Sequence, residues 1–271
     1  MFVLLRQQLV LYANRTPQEP PHDSASLRTG LLGLINTYLV PEKDGLTLID
    51  TGMLSLVPLI LKKAAQLGQP ITRIVLTHGH DDHALGLDGI KRAYPGARVF
   101  MHQADAASLT RLNVETRPDR ALQGGEQLGS LQVIAAPGHS EGHLAYLDPR
   151  DGTLYAGDAF VNVPSLRVAT ELHPLFPMPT FGTWNADAAR ASARTLTELH
   201  GLNWLVAGVG ARPTHSCAAT GHAHRTAPGR AAASGDRLAT GAGPPYQHPV
   251  RWSERTHLSP SRAAVFRGQK C

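Results

Sequence analysis

Apolar and polar residues first alternate regularly in two runs, residues 36–40 and 46–50, which are rich in β-branched and aliphatic side chains. The segment between them, Pro-Glu-Lys-Asp-Gly, has the composition of a tight turn, so this region predicts a β-hairpin. Apolar residues then recur at helical spacing over residues 54–67, and Gly68 is placed to end that helix. Residues 71–77 form a short apolar run that predicts a buried strand.

Strands and helices continue to alternate almost to residue 210. The predicted elements are a helix over residues 86–94, strands over 98–102, 132–136, 144–147 and 153–156, a helix over 186–200 and a strand over 202–207. Strands that alternate with helices, with hairpins among them, indicate an α/β fold in which two mixed sheets pack together and are covered by helices.

Two further expectations concern the last predicted helix and the first residues of the chain. The helix over residues 186–200 follows Asn185 and contains Asp187, and either residue is suited to cap it. Its inward-facing side is expected to carry Ala188, Ala191, Leu196 and Leu199. Residues 1–13 alternate loosely and predict an edge strand before a proline-rich loop.

The composition changes abruptly after residue 210. Residues 212–271 contain nine Lys or Arg and two Asp or Glu, a net charge of +7, whereas residues 1–211 carry −2. The later segment has no lasting periodicity. We therefore expect a folded domain over residues 1–210 and a basic low-complexity tail over 211–271. This tail is either a disordered segment that contacts an anionic partner or the product of a reading-frame shift.

The cysteines and the apolar runs indicate where the protein works. Both cysteines, Cys217 and Cys271, lie in the tail, so the predicted folded domain has no thiol nucleophile and no disulfide, as fits a reducing cytoplasm. No uninterrupted apolar stretch approaches the ~20 residues that cross a bilayer. We expect a cytoplasmic protein that acts on a small-molecule substrate and has neither a membrane nor a nucleic acid as its partner.

Four side chains of metal-binding type lie within six residues, directly after the strand predicted over residues 71–77. Alternation along that strand predicts that His78 and His80 point to the same side. The following turn is expected to bring Asp82 and His83 to a neighbouring point. Imidazole nitrogens and carboxylates suit zinc and its first-row neighbours. The cluster predicts a two-metal site rather than a polar loop of solvated histidines.

The order of these residues, His-x-His-x-Asp-His followed by Ala-Leu-Gly, resembles the signature of the metallo-β-lactamase superfamily. Three further segments occur in the order that this family requires, and they are residues 46–52, 137–143 and 154–158. The resemblance covers roughly residues 34–208. It implies a four-layer αββα sandwich, the metallo-β-lactamase fold.

The resemblance also implies a role for each residue of the site. The implied ligands are His78, His80 and His139 for a first metal, Asp82 and His83 for a second, and Asp158 as the bridge between them. Zinc is the expected metal, with two ions per chain, and iron or manganese suits the same ligands. Asp82 is also placed to orient the nucleophile or to transfer a proton to the leaving group. For His143, support of a ligand and a surface or core role remain equally open.

One position departs from the family pattern. At the end of the last predicted strand the family usually has a histidine between two glycines, where this chain has Val209. Valine cannot coordinate a metal, so the second site lacks a ligand, and one metal instead of two is the alternative expectation. The tail offers three substitutes, His215, His222 and His224.

An apolar segment over residues 175–184 precedes the last predicted helix. It either covers the core or provides Phe176, Phe181 and Trp184 as an apolar wall of the substrate pocket. The resemblance implies a metal-dependent hydrolase in which a metal-bound hydroxide cleaves a small ester, thioester or lactone. The alternative is a non-catalytic metal-binding or ligand-sensing protein, disabled at its second metal site by Val209.

Overall fold

The structure is a computed structural model that describes residues 25–29, 34–174 and 176–211. The edge strand predicted over residues 1–13 lies outside the described residues. So does the predicted tail beyond residue 211, with the three histidines named as possible substitute ligands.

The described part of the chain contains fourteen strands. They are β1 (Ala25–Thr29), β2 (Ile35–Glu42), β3 (Gly45–Ile49), β4 (Ile71–Val75), β5 (Arg98–His102), β6 (Arg120–Leu122), β7 (Gln127–Leu128), β8 (Leu131–Ala135), β9 (Leu144–Asp148), β10 (Thr153–Tyr155), β11 (Phe160–Asn162), β12 (Leu166–Val168), β13 (Trp204–Val206) and β14 (Val209–Gly210). The described strands form two mixed sheets. The larger has the order β12-β11-β14-β2-β3-β4-β5-β6, with β1 also paired to β2, and the smaller has the order β13-β10-β9-β8-β7.

Six α-helices occur within the described ranges. They are α1 (Val57–Leu67), α2 (Asp81–Ala84), α3 (Leu87–Ala93), α4 (Ala106–Arg111), α5 (Met178–Phe181) and α6 (Ala186–Thr197). Ile60 of α1 and Ile90 of α3 pack in one apolar cluster with Leu48 of the larger sheet. Leu196 of α6 packs in another cluster with Leu154 of the smaller sheet.

The core between the sheets completes the sandwich. Val40 and Phe100 from the larger sheet share one buried apolar cluster with Val133, Tyr146 and Val206 from the smaller sheet. Side chains therefore alternate between this inner layer and the helix-covered outer layers, as the period of two along a strand requires. The predicted four-layer αββα architecture is confirmed.

Local sequence patterns correctly predicted the first hairpin and the first long helix. The predicted hairpin forms between β2 and β3, with Tyr38 opposite Ile49 and Glu42 opposite Gly45. The helix predicted over residues 54–67 begins as a 3-10 turn and continues as α1. It ends where predicted, because Gly68 adopts a left-handed backbone conformation with φ of 68°.

The inward face predicted for the last helix was partly wrong. Leu196 is buried as predicted, but Ala191 is exposed, whereas Ala189, Ser192 and Ala193 are buried. Ser192 is easily overlooked in an apolar pattern, but its hydroxyl donates to the Pro137 carbonyl at 2.7 Å and so is satisfied inside. The other predicted inward residues, Ala188 and Leu199, are half-buried.

Candidate metal centre

The loop that carries His78 and His80 begins earlier than predicted. Strand β4 ends at Val75, so the two histidines do not alternate along a strand, and that part of the prediction was wrong. The backbone N–H of Thr77 donates to Asp50 Oδ1 at 2.8 Å, and its hydroxyl donates to Asp50 Oδ2 at 2.8 Å. A side-chain carboxylate thus holds the chain after the strand ends, and the loop is free to turn both imidazoles inward.

Three imidazole nitrogens converge beyond this loop. Nδ1 of His80 lies 3.0 Å from Nε2 of His78 and 3.0 Å from Nε2 of His139, which arrives from the loop after β8. His78 and His139 are buried, and His80 is half-buried. These three residues offer one ligand atom each within a sphere that suits a single metal ion.

A second group of possible ligands lies beside the first. Nε2 of His83, on helix α2, is 3.3 Å from Oδ1 of Asp158 and 3.7 Å from Oδ2 of Asp82. The other oxygen of Asp158, Oδ2, is 3.6 Å from Nε2 of His139. The carboxylate of Asp158 therefore lies between the two groups. His78 also approaches His83 and Asp158 closely enough to share a metal with them.

Two buried atoms of the second group, Nε2 of His83 and Oδ1 of Asp158, contact each other at 3.3 Å, as an ion pair when His83 is protonated. Neither atom has a partner of hydrogen-bond geometry among the described residues. A buried polar atom without a partner costs roughly 1–3 kcal/mol, so native structures rarely keep one without a reason. A metal cation would satisfy both atoms, and an imidazole with a carboxylate is a donor set that first-row metals accept. The residues present therefore fit a metal at this position.

Burial and mutual contacts set the protonation of the cluster. Burial lowers the pKa of His78 well below its usual value, that of His139 to about 4 and that of His143 to about 3. Burial alone would raise the pKa of Asp158, but the charge of His83 outweighs it and brings that pKa to about 2. At neutral pH these three imidazoles are therefore neutral, with lone pairs free for a metal, and Asp158 is ionised.

The neutral buried imidazoles predict acid sensitivity of the metal-free protein. His139 and His143 have folded-state pKa values of about 4 and about 3, below the 6.5 of an exposed histidine. The unfolded chain therefore binds more protons, and stability that is present above pH 6.5 is lost as the pH falls toward 4. Each imidazole contributes up to about 1.4 kcal/mol per pH unit in that window. His83, whose pKa is raised, is protonated in both states there and adds no slope.

This expectation is checked by urea unfolding in a chelating buffer at several pH values between 7 and 4. Replacing His143 by glutamine should reduce the slope, whereas His200→Ala, which changes an exposed histidine, should leave it unchanged. A free energy of unfolding that stays constant or rises on acidification would contradict the assignment of neutral buried imidazoles.

Besides holding Thr77, the Asp50 carboxylate orients the ring of His83. Nδ1 of His83 donates to Oδ2 of Asp50 at 2.8 Å, which fixes the ring with Nε2 toward Asp158. Asp50 is itself buried and has a left-handed backbone conformation with φ of 56°. On the other side of the site, Nε2 of His143 accepts from the backbone N–H of Asp158 at 3.1 Å. Of the two roles left open for His143, this contact favours support of a predicted ligand over a surface or core role.

Asp105 joins the two histidine-bearing loops, and sequence reasoning missed it. Its Oδ2 accepts from the backbone N–H of Gly79 at 3.2 Å and from the Ser140 hydroxyl at 2.5 Å, and its Oδ1 accepts from the N–H of Gly142 at 3.0 Å. Gly79 separates His78 from His80, and Ser140 follows His139. The buried carboxylate thus fixes both loops relative to each other.

Replacing Asp105 by asparagine should weaken metal binding about 10- to 100-fold, the usual effect of removing a group that supports metal ligands. The amide nitrogen of asparagine would face an N–H or O–H donor where the carboxylate accepts. Affinity can be measured by competition with a chromophoric chelator. Asp88→Asn is the matched control, because Asp88 also accepts two backbone N–H groups, at 2.8 and 2.9 Å, but these belong to Glu115 and Thr116 and not to a histidine-bearing loop. Equal losses in both variants would contradict the role of Asp105.

A pocket of about 580 Å³ opens over the histidines. Its described lining consists of Leu34, Ile35, Met53, His80, Asp81, Asp82, His139, Asp158, Phe176, Met178, Pro179, Gly182 and Val209. Of the three aromatic residues predicted to form its wall, Phe176 is in the lining. Phe181 and Trp184 are outside it, 74% and 58% exposed. Val209 is 4% exposed and faces the pocket beside the predicted second metal position.

The fold and this cluster agree with the comparison of the sequence with known families. Residues 30–202 match the sequence profile of the Metallo-beta-lactamase superfamily. The chain therefore belongs to the metallo-β-lactamase superfamily, as its histidine motif predicted. Within the described ranges, no helix is both long and apolar enough to cross a membrane.

Individual relatives align with different portions of the chain. The protein YobT of Bacillus subtilis (strain 168) is 37% identical over 182 residues, which cover 60% of this chain and 78% of YobT. A hydroxyacylglutathione hydrolase of Synechococcus sp. (strain JA-2-3B'a(2-13)) is 34% identical over 99 residues, which cover 36% of this chain and only 38% of that enzyme. The crystal structure of TTHA1623 in a di-iron-bound form superposes with a TM-score of 0.53 at 26% identity, covering 70% of this chain and 94% of TTHA1623.

Proposed function

We propose that the protein is a metal-dependent hydrolase that cleaves a small thioester, ester or lactone. The observation that carries this proposal is the convergence of three imidazole nitrogens, with Nδ1 of His80 3.0 Å from Nε2 of both His78 and His139. His80 and His139 also line the pocket. The partly matching hydroxyacylglutathione hydrolases, whose name describes a thioesterase, favour the thioester among these substrates.

The geometry supports one metal position for each of the two groups of ligands. His78, His80 and His139 hold a first metal, and His83 with the carboxylates of Asp82 and Asp158 is placed for a second. A divalent metal bound there supplies an acidified water as nucleophile at neutral pH and polarises the scissile carbonyl. Zinc suits these donors best, and iron or manganese is also compatible, as the di-iron form of TTHA1623 illustrates for that protein.

Asp82 is the proposed proton carrier. Its side chain lies in the pocket wall and is 30% exposed, so a substrate can reach it. A carboxylate at this position can accept a proton from a water molecule in the pocket. In this role Asp82 orients the attacking water, accepts its proton and passes that proton to the leaving group.

The test is hydrolysis of a panel of thioesters, esters and lactones by protein stripped with a chelator and then reloaded with zinc, iron or manganese. We expect turnover that depends on the added metal, with thioesters as the best substrates. Metal binding without turnover of any substrate in the panel would overturn the proposal. That outcome would favour a non-catalytic metal-binding or ligand-sensing protein, for which the apolar Val209 in the pocket wall is the supporting observation.

A further inference from the structure

The polar groups of the pocket come from a few neighbouring residues. Its polar lining residues are the predicted ligands and the neighbouring acid, namely His80, Asp81, Asp82, His139 and Asp158. The remaining lining residues are apolar or glycine. Among the lining residues that the structure describes, none is Lys or Arg, and none carries a hydroxyl or amide side chain.

This distribution restricts the part of the substrate that extends away from the reacting carbonyl. A polar or charged group placed against Leu34, Met53 or Phe176 would lose its water and gain no hydrogen bond, which is costly. A carboxylate would also meet the negative charge of Asp81 and Asp82 without a cation in the described wall to balance it. An alkyl or aryl group would instead exchange water for apolar contacts.

We propose that the substrate carries an uncharged, apolar acyl group, which occupies the wall formed by Leu34, Ile35, Met53, Phe176, Met178, Pro179 and Val209. This inference rests on the proposed hydrolase function and specifies its substrate class. It separates the protein from an enzyme whose substrate carries a charged acyl group. Met178 lies at the rim of the pocket and is 67% exposed. It is therefore the wall residue at which a substitution most easily changes the preference for a charged or an uncharged acyl group.

The first experiment varies the acyl group while the leaving group stays constant. Acyl thioesters of the neutral thiol N-acetylcysteamine, from acetyl to octanoyl, are compared with the succinyl thioester, which is the butanoyl thioester with a carboxylate in place of the terminal methyl group. We expect kcat/KM to rise up to about fourfold per added methylene until the wall is covered, from the usual transfer free energy of a CH₂ group. The succinyl thioester should react at least about tenfold more slowly than the butanoyl thioester.

The second experiment alters the rim. Met178→Lys should raise kcat/KM for succinyl relative to butanoyl by about fivefold, the gain expected for one charge pair in water. Phe181→Lys is the matched control, because Phe181 lies on the same short helix α5 but outside the pocket lining, and it should leave that ratio unchanged.

The outcomes separate this inference from the proposed function. Turnover that is independent of acyl length, or faster with succinyl than with butanoyl, would overturn the apolar acyl assignment and leave the hydrolase intact. An equal change in the succinyl preference for both lysine variants would also overturn it. No turnover of any thioester, ester or lactone by the metal-loaded protein would refute the hydrolase itself.

Discussion

Replacement of His80 by alanine is expected to lower kcat/KM for the best substrate on the order of a thousandfold and to abolish tight metal binding. Nδ1 of His80 lies 3.0 Å from both His78 Nε2 and His139 Nε2, so its removal deprives the three-nitrogen group of its central member. Polarisation of a carbonyl by a metal contributes several kcal/mol, which corresponds to a rate change of this size. Metal content and steady-state kinetics measure the two effects independently.

The choice of His80 keeps this test separate from a loss of fold. His80 is only half-buried, whereas His78 and His139 are buried, so its truncation should disturb the core least. His200→Ala, at an exposed histidine, serves as the control and should retain both metal and activity. A His80→Ala protein that melts like the wild type and still binds one metal tightly would show that the three nitrogens do not form the metal site.

Replacement of Val209 by histidine is expected to raise the metal content from near one to near two ions per chain. On the Nε2 side of His83, the wild-type group has the carboxylate of Asp158 at 3.3 Å and that of Asp82 at 3.7 Å, whereas Asp50 is bonded to Nδ1 on the other side of the ring. Val209 lies in the same pocket wall as Asp82 and Asp158, so an imidazole at this position adds a nitrogen ligand to that group. Elemental analysis of protein freed from loosely bound metal by gel filtration gives the count.

Val209→Leu is the matched control, since it changes the volume at the same buried position without adding a ligand. The backbone of β14 pairs with Ile35 and Val161, and neither substitution removes those hydrogen bonds. A wild-type chain that already holds two tightly bound ions would contradict the prediction, because another group would then complete the second position. An unchanged content in Val209→His would contradict it as well.

Much of the fold was predictable because its signals are local. The β2–β3 hairpin follows from a turn composition within a few residues, and the end of α1 follows from one glycine. The inner face of α6 was harder to predict, because burial of Ser192 depends on the distant Pro137 carbonyl, which accepts its hydrogen bond. A pattern that counts only apolar residues cannot include such a contact.

In the candidate site, too, the residues with local sequence signals were predictable and those that depend on long-range contacts were not. His78, His80 and His83 stand out because they are adjacent in sequence, and His139 and Asp158 were found through the order of the family motifs. The role of Asp105 had no local signal. Its three hydrogen-bond partners lie 26, 35 and 37 residues away along the chain, so only folding brings them together.

The type and order of the predicted ligands, the alternation of strands and helices, and the absence of a histidine at position 209 can all be read from the amino-acid sequence. Which atoms meet depends on the folded chain. Asp50 and Asp105 hold the histidine loops through bonds to distant backbone groups and to the His83 ring, and these bonds turn the imidazoles toward one point. The packing of residues 176–184 likewise placed Phe176 in the pocket wall and left Phe181 outside it. Both results follow from long-range contacts, which local sequence patterns do not encode.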